Sequence, residues 1–171
     1  MCFHGSVVPM NIRREIASDQ AAIRRVHLAS FPGPQEADLV GRLRDDGDAV
    51  FSLVATTENL VVGHVMLSRM TAPFRALGLA PVAVLPDWRR RGIAARLIED
   101  GIKRSAGDDW QAVFVVGNPA YYCRFGFNAD SARNFDSPYA GPYLMAVSLA
   151  GFDLGSASGR IDYAPAFAAL E

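Results

Sequence analysis

The segment from Leu85 to Ala94 carries the residues that most clearly suggest chemistry. Arg89, Arg90 and Arg91 follow one another directly before Gly92, where a segment with helical periodicity begins. Cations are unfavourable at the positive end of a helix dipole, so these arginines break a local rule. A bound anion would remove the conflict, because free backbone N–H groups at a helix start bind anions and arginines add charge-assisted hydrogen bonds. The alternative is a solvated basic turn that only joins a strand to a helix.

Two common kinds of anion site can be excluded, because their sequence motifs are absent from the turn. The turn contains neither the G-x-x-x-x-G-K-[ST] sequence of a P-loop nor the G-x-G-x-x-G sequence of a dinucleotide site. Gly92 lets the backbone approach a ligand closely, and the small Ala94 leaves room beside it. The turn therefore predicts an anion site of another kind.

The turn resembles the [QR]-x-x-G-x-[GA] loop of the GNAT superfamily of N-acetyltransferases. Arg89 stands at its first position, Gly92 at its fourth and Ala94 at its sixth. In that family the loop amides bind the pyrophosphate of coenzyme A, so the resemblance implies acetyl-CoA as cosubstrate. With Arg89 opening the loop, the implied binding positions are Arg90, Arg91, Gly92, Ile93 and Ala94.

The preceding strand, residues 81–85, is implied by the same resemblance to take part in binding. In the family this strand lends backbone groups to the pantetheine arm and bulges near the thioester. Pro81 cannot donate to a β-ladder, which suits a bulge or a splayed strand. The implied contacts are the backbones of Val82, Val84 and Leu85, and an N–H near Val84 is expected to stabilise the oxyanion. The side chains of this strand are also expected in the core.

A second motif follows the fifth strand. Tyr122, Gly126 and Phe127 match the Tyr-x-x-x-Gly-Phe element that ends the cleft in many GNAT enzymes. In that family the tyrosine often protonates the departing thiolate, and a phenol, neutral at pH 7, suits the task. The resemblance implies Tyr122 as the catalytic residue; the alternative is a half-buried aromatic of a short helix. The family's asparagine is replaced by Val115, and we expect Asn118 to cap the helix instead.

No residue stands out as the general base for an acceptor amine. Glu36, in the first turn of a helix, and His64, in a strand, are candidates, and a water chain to solvent is a third route. His27 has no chemical neighbour in the sequence pattern. Cys123 has no paired base, so we interpret it as a small apolar residue.

The acceptor pocket is expected to be lined by the first two helices, the loop around residues 31–34 and the segments 68–77 and 130–143. The aromatic residues of these segments are Phe74, Phe135, Tyr139 and Tyr143. Arg75 and Arg133 could meet a carboxylate and Asp136 an amine, which are opposite indications. The acceptor is therefore left open as a small-molecule or peptide amine.

Apolar periodicity predicts the element order β-α-α-β-β-β-α-β-α-β-β. The apolar runs 79–85 and 112–116, joined by an amphipathic helix at 93–104, predict a right-handed βαβ unit. The strands 50–55 and 60–70 form an antiparallel hairpin. The predicted fold is α/β: a mixed, mostly antiparallel central sheet with helices on both faces, the GNAT-like acyl-CoA N-acyltransferase fold. Further strands are predicted at residues 11–15, 142–149 and 160–163, and further helices from residues 18–19, 35 and 118.

Length and composition limit the possible classes. With 171 residues we expect one N-acetyltransferase domain over residues 10–171, and residues 1–9 as a disordered or alternative-start segment before Met10. The net charge of −1 argues against a general nucleic-acid or anionic-membrane partner. Two cysteines argue against a disulfide framework, no apolar run reaches the length of a membrane span, and a cytoplasmic location is expected. We expect no metal site.

Two other classes remain open at this point. A non-catalytic acetyl-CoA-binding sensor module would keep the arginine-glycine loop without the chemistry. A structural or interaction domain would have no cofactor at all. A homodimer is expected only because homodimers are common.

Overall fold

A six-stranded sheet runs through residues 9–170, the part of the chain that the computed structural model describes. The strands in chain order are β1 Met10–Arg14, β2 Ala49–Thr57, β3 Leu60–Arg69, β4 Ala76–Val84, β5 Ala112–Val116, β6 Phe135–Asp136, β7 Leu144–Ser148 and β8 Gly159–Arg160. In the sheet they lie in the order β1-β2-β3-β4-β5-β7, while β6 and β8 form a separate pair. Within the main sheet only β4 and β5 are parallel. The segment expected at residues 1–9 lies, except for Pro9, outside the described residues.

Helices cover both faces of this sheet. The α-helices of the described chain are α1 Gln20–Ser30, α2 Gln35–Asp45, α3 Ile93–Gly107 and α4 Pro119–Tyr122, and a 3-10 segment, Pro165–Leu170, follows them. Neighbouring strand residues point to opposite faces. Leu53 packs in the core cluster that contains α3, and Val54 in the cluster that contains α1 and α2. The predicted fold class is confirmed.

Most predicted elements form close to their expected bounds, including the β2–β3 hairpin. Its turn residues Glu58 and Asn59 have φ of 50° and 63°, as a two-residue turn of type I′ requires. In α1 the apolar Leu28 is 46% exposed, and His27 takes the buried position beside Val26. The predicted last strand is also different, because its residues pair with the unforeseen β6 and not with the main sheet.

The sheet opens between β4 and β5. Their parallel pairing covers only Ala76–Gly78, opposite residues 112–114, after which the two strands part. In the ladder between β3 and β4, Leu79 pairs with Leu67 and Val82 pairs with Val65. Three steps along β4 therefore match two steps along β3, so β4 carries one extra residue there. The predicted bulge therefore lies at Ala80–Pro81, earlier in the strand than the position near Val84 that we expected.

No helix within residues 9–170 is both long and apolar enough to cross a membrane. In the same part of the chain, no group of three or more histidine, cysteine, aspartate or glutamate side chains is placed to hold a metal ion.

Candidate active site

The turn between β4 and α3 is shaped by two residues with positive φ. Gly92 caps the helix with φ of 74° and ψ of 13°, and no other atom lies within 4 Å of where a Cβ would stand. Arg90 also has a positive φ, 64°, which is uncommon for a residue with a side chain. The turn thus delivers the open N-terminus of a 15-residue helix at the point where the sheet parts, with its first N–H groups unpaired within the helix.

The three arginines of the turn have different surroundings. Arg89 folds back, and its Nε donates to the carbonyl oxygen of Val84 at 3.2 Å. Arg91 places its guanidinium 4.7 Å from the ring centre of Trp88. Arg90 is exposed and makes no hydrogen bond or ion pair with any residue between 9 and 170. No carboxylate of that part of the chain neutralises these three charges, so the turn remains available to an anion.

The backbone of β4 presents two residues to the opening. Leu85 donates its N–H to the carbonyl oxygen of Val62 at 2.8 Å, and in an antiparallel ladder the neighbouring residues alternate in direction. Val82 and Val84 therefore turn their N–H and C=O groups away from β3, toward the side that β5 leaves vacant. The Val84 carbonyl accepts from Ser30 Oγ at 3.2 Å. The backbone of Leu85 is used by the fold instead, because its carbonyl accepts from Trp88 N–H at 2.9 Å.

A cavity of about 450 Å³ lies between the end of β4 and the start of α3; we call it the turn cavity. The expected binding residues that line it are Val82, Val84, Arg89, Arg90, Gly92, Ile93 and Ala94. The expected residues that do not line it are Leu85, Arg91 and Tyr122. The lining residues that were not among the expected cosubstrate contacts are Ser30, Phe31, Ala83, Trp88, Ala95, Tyr121 and Arg124, and Phe31 belongs to the loop expected to line the acceptor pocket. Of these, Tyr121 and Arg124 had a signal in the sequence, since they stand three apart on one short helix.

Tyr122 lies beside the turn cavity rather than in its wall. Its ring stands edge-on to that of Tyr121, with centroids 5.1 Å apart. It also stands edge-on to the ring of Phe127, with centroids 5.8 Å apart. Burial, and then the neighbouring Tyr121, raises the pKa of the Tyr122 phenol above 10. Its hydroxyl is therefore a neutral hydrogen-bond donor throughout the physiological range.

Asn118 is the cap that its sequence position predicts. Its Oδ1 accepts from the Ala120 N–H at 3.0 Å, and Pro119 fills the first helical position. The αL glycine, Gly126, ends the segment with φ of 91°. These local features fix α4 at the end of β5 and hold both tyrosines at the opening of the sheet.

A second cavity, of about 260 Å³, opens beside the same part of the sheet; we call it the tyrosine cavity. Its lining residues are Ala80, Val116, Tyr139, Tyr163, Phe167 and Leu170. Ala80 belongs to the bulge of β4, and Val116 is the last residue of β5. Since Val82–Val84 line the turn cavity, both cavities lie against the same parted strands.

Only some of the residues expected to line the acceptor pocket lie at a cavity. Tyr139 lines the tyrosine cavity, and Tyr143 is 61% exposed. Phe74 packs against Phe114 and Phe135 inside a separate core cluster. The charged candidates are occupied elsewhere: Arg75 lies over Trp110, Arg133 pairs with Asp130, and Asp136 pairs with Arg160.

His64 is not placed to serve as a base for a bound amine. It is 0% exposed, its Nδ1 lies 2.8 Å from His27 Nε2, and its Nε2 lies 2.8 Å from Ser52 Oγ. Burial, with smaller effects of His27 and Arg44, lowers the pKa of His64 well below its usual value. His27 therefore does have a chemical neighbour, which the sequence pattern did not suggest.

Glu36 is the remaining carboxylate among the candidate bases. It lies in the first turn of α2, and its Oε2 is buried without a hydrogen-bond partner among the described residues. The helix start accounts for a carboxylate at this position. The unpaired oxygen leaves Glu36 with an accepting position that the fold does not use.

Comparison with known proteins places these features in a family. Residues 48–129 match the family model described as an acetyltransferase (GNAT) domain. The uncharacterized N-acetyltransferase YjhQ of Escherichia coli (strain K12) is 37% identical over 134 residues, covering 74% of this chain and 72% of that protein. The uncharacterized N-acetyltransferase YhbS of the same strain is 33% identical over 160 residues, covering 90% and 96%.

Two solved structures share the whole architecture. The structure of YhbS from Escherichia coli in complex with CoA superposes with a TM-score of 0.89 at 30% identity, covering 94% of this chain and 93% of that one. A GNAT family acetyltransferase from Brucella melitensis in complex with acetyl-CoA gives a TM-score of 0.78 at 29% identity, covering 93% and 98%.

Proposed function

Because this chain belongs to the GNAT superfamily of N-acetyltransferases, we propose that it transfers the acetyl group of acetyl-CoA to a primary amine of a small molecule or peptide by direct attack. The observation that supports this most strongly is the turn cavity. There the unpaired Arg90, the open start of α3 and the outward backbone of Val82 and Val84 face one space. An anionic cosubstrate with an amide-containing arm matches those groups.

The residues of the turn cavity fit the two ends of such a cosubstrate. Arg90 and the N–H groups from Gly92 to Ala94 would hold the pyrophosphate, and Arg91, outside the cavity lining, would add positive charge beside it, since guanidinium groups and a helix start both favour anions. The outward N–H groups of Val82 and Val84 and the C=O group of Val82 would pair with the amides of the pantetheine arm, as a strand would. The related YhbS and the Brucella melitensis enzyme were solved with CoA and acetyl-CoA respectively.

In this proposal the breaking bond lies at the parted strands β4 and β5, which both cavities adjoin. The amine nitrogen attacks the thioester carbon, forming a C–N bond, and the carbonyl oxygen gains negative charge. The N–H of Val82, the first donor after the bulge, would donate a hydrogen bond to that oxygen. As the C–S bond breaks, Tyr122 gives its proton to the sulfur, and the resulting phenolate takes a proton from the acetylated nitrogen.

Removal of the first proton from an ammonium acceptor falls to Glu36 or to solvent. The buried position of His64 excludes it from contact with a ligand. Holding the amine and thioester together in one opening then supplies much of the rate enhancement, because the transfer becomes effectively intramolecular.

Calorimetric titration with acetyl-CoA, free CoA and ATP tests the proposal. We expect saturable binding of acetyl-CoA and CoA that is lost in Gly92→Asp, because the substitution adds a negative charge and a side chain at positive φ. Gly107→Asp, the same change at the exposed opposite end of α3, is the matched control and should bind normally. Absence of acetyl-CoA binding in the parent protein would contradict the proposed function.

A further inference from the structure

The tyrosine cavity has uncharged walls and an apolar mouth. None of the side chains that line it carries a formal charge at neutral pH. Val116 and Leu170, at its rim, are 44% and 39% exposed, which makes them two of the exposed large apolar residues of the described chain. Apolar surface grouped around a concave opening is typical of a binding site for an apolar group.

One polar group in this wall has no partner. The hydroxyl of Tyr163 is buried and makes no hydrogen bond within residues 9–170. An unsatisfied buried hydroxyl lowers the stability of the folded state, so native structures rarely keep one without a use. The ring is fixed by Tyr139 at 5.4 Å and Phe167 at 5.0 Å between centroids. The hydroxyl therefore cannot turn away to find solvent.

Tyr163 also lies close to the point where β4 and β5 part. Its ring rests on Gly78, the last residue of β4 that pairs with β5, so closely that no Cβ would fit there. Burial raises the pKa of its phenol, and the nearby Tyr139 and Tyr122 add to that effect. A group bound to the Tyr163 hydroxyl would consequently lie close to Tyr122 and to the parted strands.

The walls discriminate between kinds of acceptor by charge. A carboxylate or a second ammonium group in this cavity would lose its hydration without gaining a counter-charge from the lining residues, which is costly. An aliphatic or aromatic body would instead gain free energy from burial, about 25 cal/mol per Å². The volume of about 260 Å³ lies at the small end of ligand sites.

We propose that the acceptor is a small primary amine with an uncharged, apolar body, an arylalkylamine or alkylamine rather than an amino acid or polyamine. Its body occupies the tyrosine cavity, and Tyr163 is the specificity-determining residue whose hydroxyl orients the reacting nitrogen. This inference rests on the proposed acetyl transfer, and it adds the substrate class of the same site.

Three amines of related size test it: phenethylamine, phenylalanine, which adds a carboxylate to the same body, and 1,4-diaminobutane, which adds a second ammonium. Thiol release from acetyl-CoA gives kcat/KM for each. We expect phenethylamine to exceed the other two by about 100-fold or more, since a buried unpaired charge is worth several kcal/mol. Equal or better use of phenylalanine or the diamine, or thiol release with none of the three from a protein that binds acetyl-CoA, overturns the inference and leaves the cosubstrate site intact.

A charge placed at the rim provides the second measurement. Leu170→Arg should reduce the ratio of kcat/KM between phenethylamine and phenylalanine by about tenfold, because it offers the carboxylate a partner. Leu60→Arg is the matched control: Leu60 is 41% exposed, in the β2–β3 hairpin, and the ratio should not change. An unchanged ratio in Leu170→Arg would show that the acceptor body lies elsewhere. Failure of acetyl-CoA binding in the parent would instead contradict the proposed function itself.

Tyr163→Phe separates the hydroxyl from the ring. We expect kcat/KM for phenethylamine to fall about tenfold with acetyl-CoA affinity unchanged, since only the contact to the reacting nitrogen is lost. Tyr143→Phe, at a position that is 61% exposed and outside the cavity lining, is the control. Full activity of Tyr163→Phe would remove Tyr163 from the proposal.

Discussion

The ring of Tyr122 lies against Gly117, so that a Cβ at residue 117 would stand 2.5 Å from Tyr122 Cε2. Real Cβ atoms do not approach other atoms so closely, and Gly117 is held in place by its N–H bond to the Tyr143 carbonyl at 3.1 Å. The absence of a side chain at residue 117 is therefore what allows the phenol to lie over the end of β5.

Gly117→Ala should displace the Tyr122 ring without disturbing the turn between β4 and α3. We expect kcat to fall about tenfold or more while the Kd of acetyl-CoA stays the same, because misplacing a catalytic group by about 1 Å is costly. Calorimetry and thiol-release kinetics measure the two effects. Gly41→Ala is the control: it lies in α2 with no atom near the added Cβ, so activity should be unchanged and stability slightly higher.

Removal of the Tyr122 hydroxyl should affect the chemical step alone. Tyr122→Phe is expected to lower kcat about 100-fold, the usual contribution of general acid catalysis, without loss of acetyl-CoA affinity. Because burial raises the pKa of this phenol, the alkaline decline of kcat in the parent should lie at a higher pH than the titration of an ordinary tyrosine. An unchanged kcat in Tyr122→Phe would mean that the thiolate leaves without this proton.

Arg90 should contribute to cosubstrate affinity through its charge. Arg90→Ala is expected to raise the Kd of acetyl-CoA about tenfold at low salt, and the difference should shrink as salt screens the interaction. Trp88 lines the same cavity, so its fluorescence can report binding. Arg96→Ala, an exposed arginine of α3 outside the cavity lining, should leave Kd unchanged; an equal loss there would indicate only a general charge effect.

The buried pair His27–His64 should make the protein sensitive to mild acid. Burial lowers the pKa of His27 to about 4, below the usual 6.5, so the unfolded state binds its proton first as the pH falls. The free energy of unfolding is then fully available above pH 6.5 and is lost as the pH falls toward 4; His27 alone accounts for about 3 kcal/mol. Urea unfolding at pH 7.5, 6 and 5 measures this loss.

His27→Gln is the comparison for that measurement, since an amide keeps a donor and an acceptor but does not titrate in this range. Its stability should vary less with pH between 7.5 and 5. A pH dependence equal to that of the parent would show that other groups cause the loss, beginning with His64, on which the field of Arg44 also acts.

The parts of the site that could be predicted from sequence are those that depend on neighbouring residues. The Gly92 turn and the Asn118 cap are local, because each is set by backbone preferences within a few positions. The contact between His27 and His64 spans 37 residues, and the contact of Tyr163 with Gly78 joins β4 to a segment far along the chain. Such contacts follow from the packing of whole elements, which no local pattern in the sequence reports.

The opening between β4 and β5 that follows Gly78 makes the lifetime of the protein in the cell depend on the concentration of its ligand. Along Val82–Val84, no strand pairs with the edge of β4 that faces away from β3. Regions with such incomplete hydrogen bonding open most readily to proteases. A ligand that fills the gap stabilises only the folded state, by about 2.7 kcal/mol at one hundred times its Kd. With acetyl-CoA as that ligand, cells rich in acetyl groups would keep this protein longer than starved cells, without any change in its synthesis.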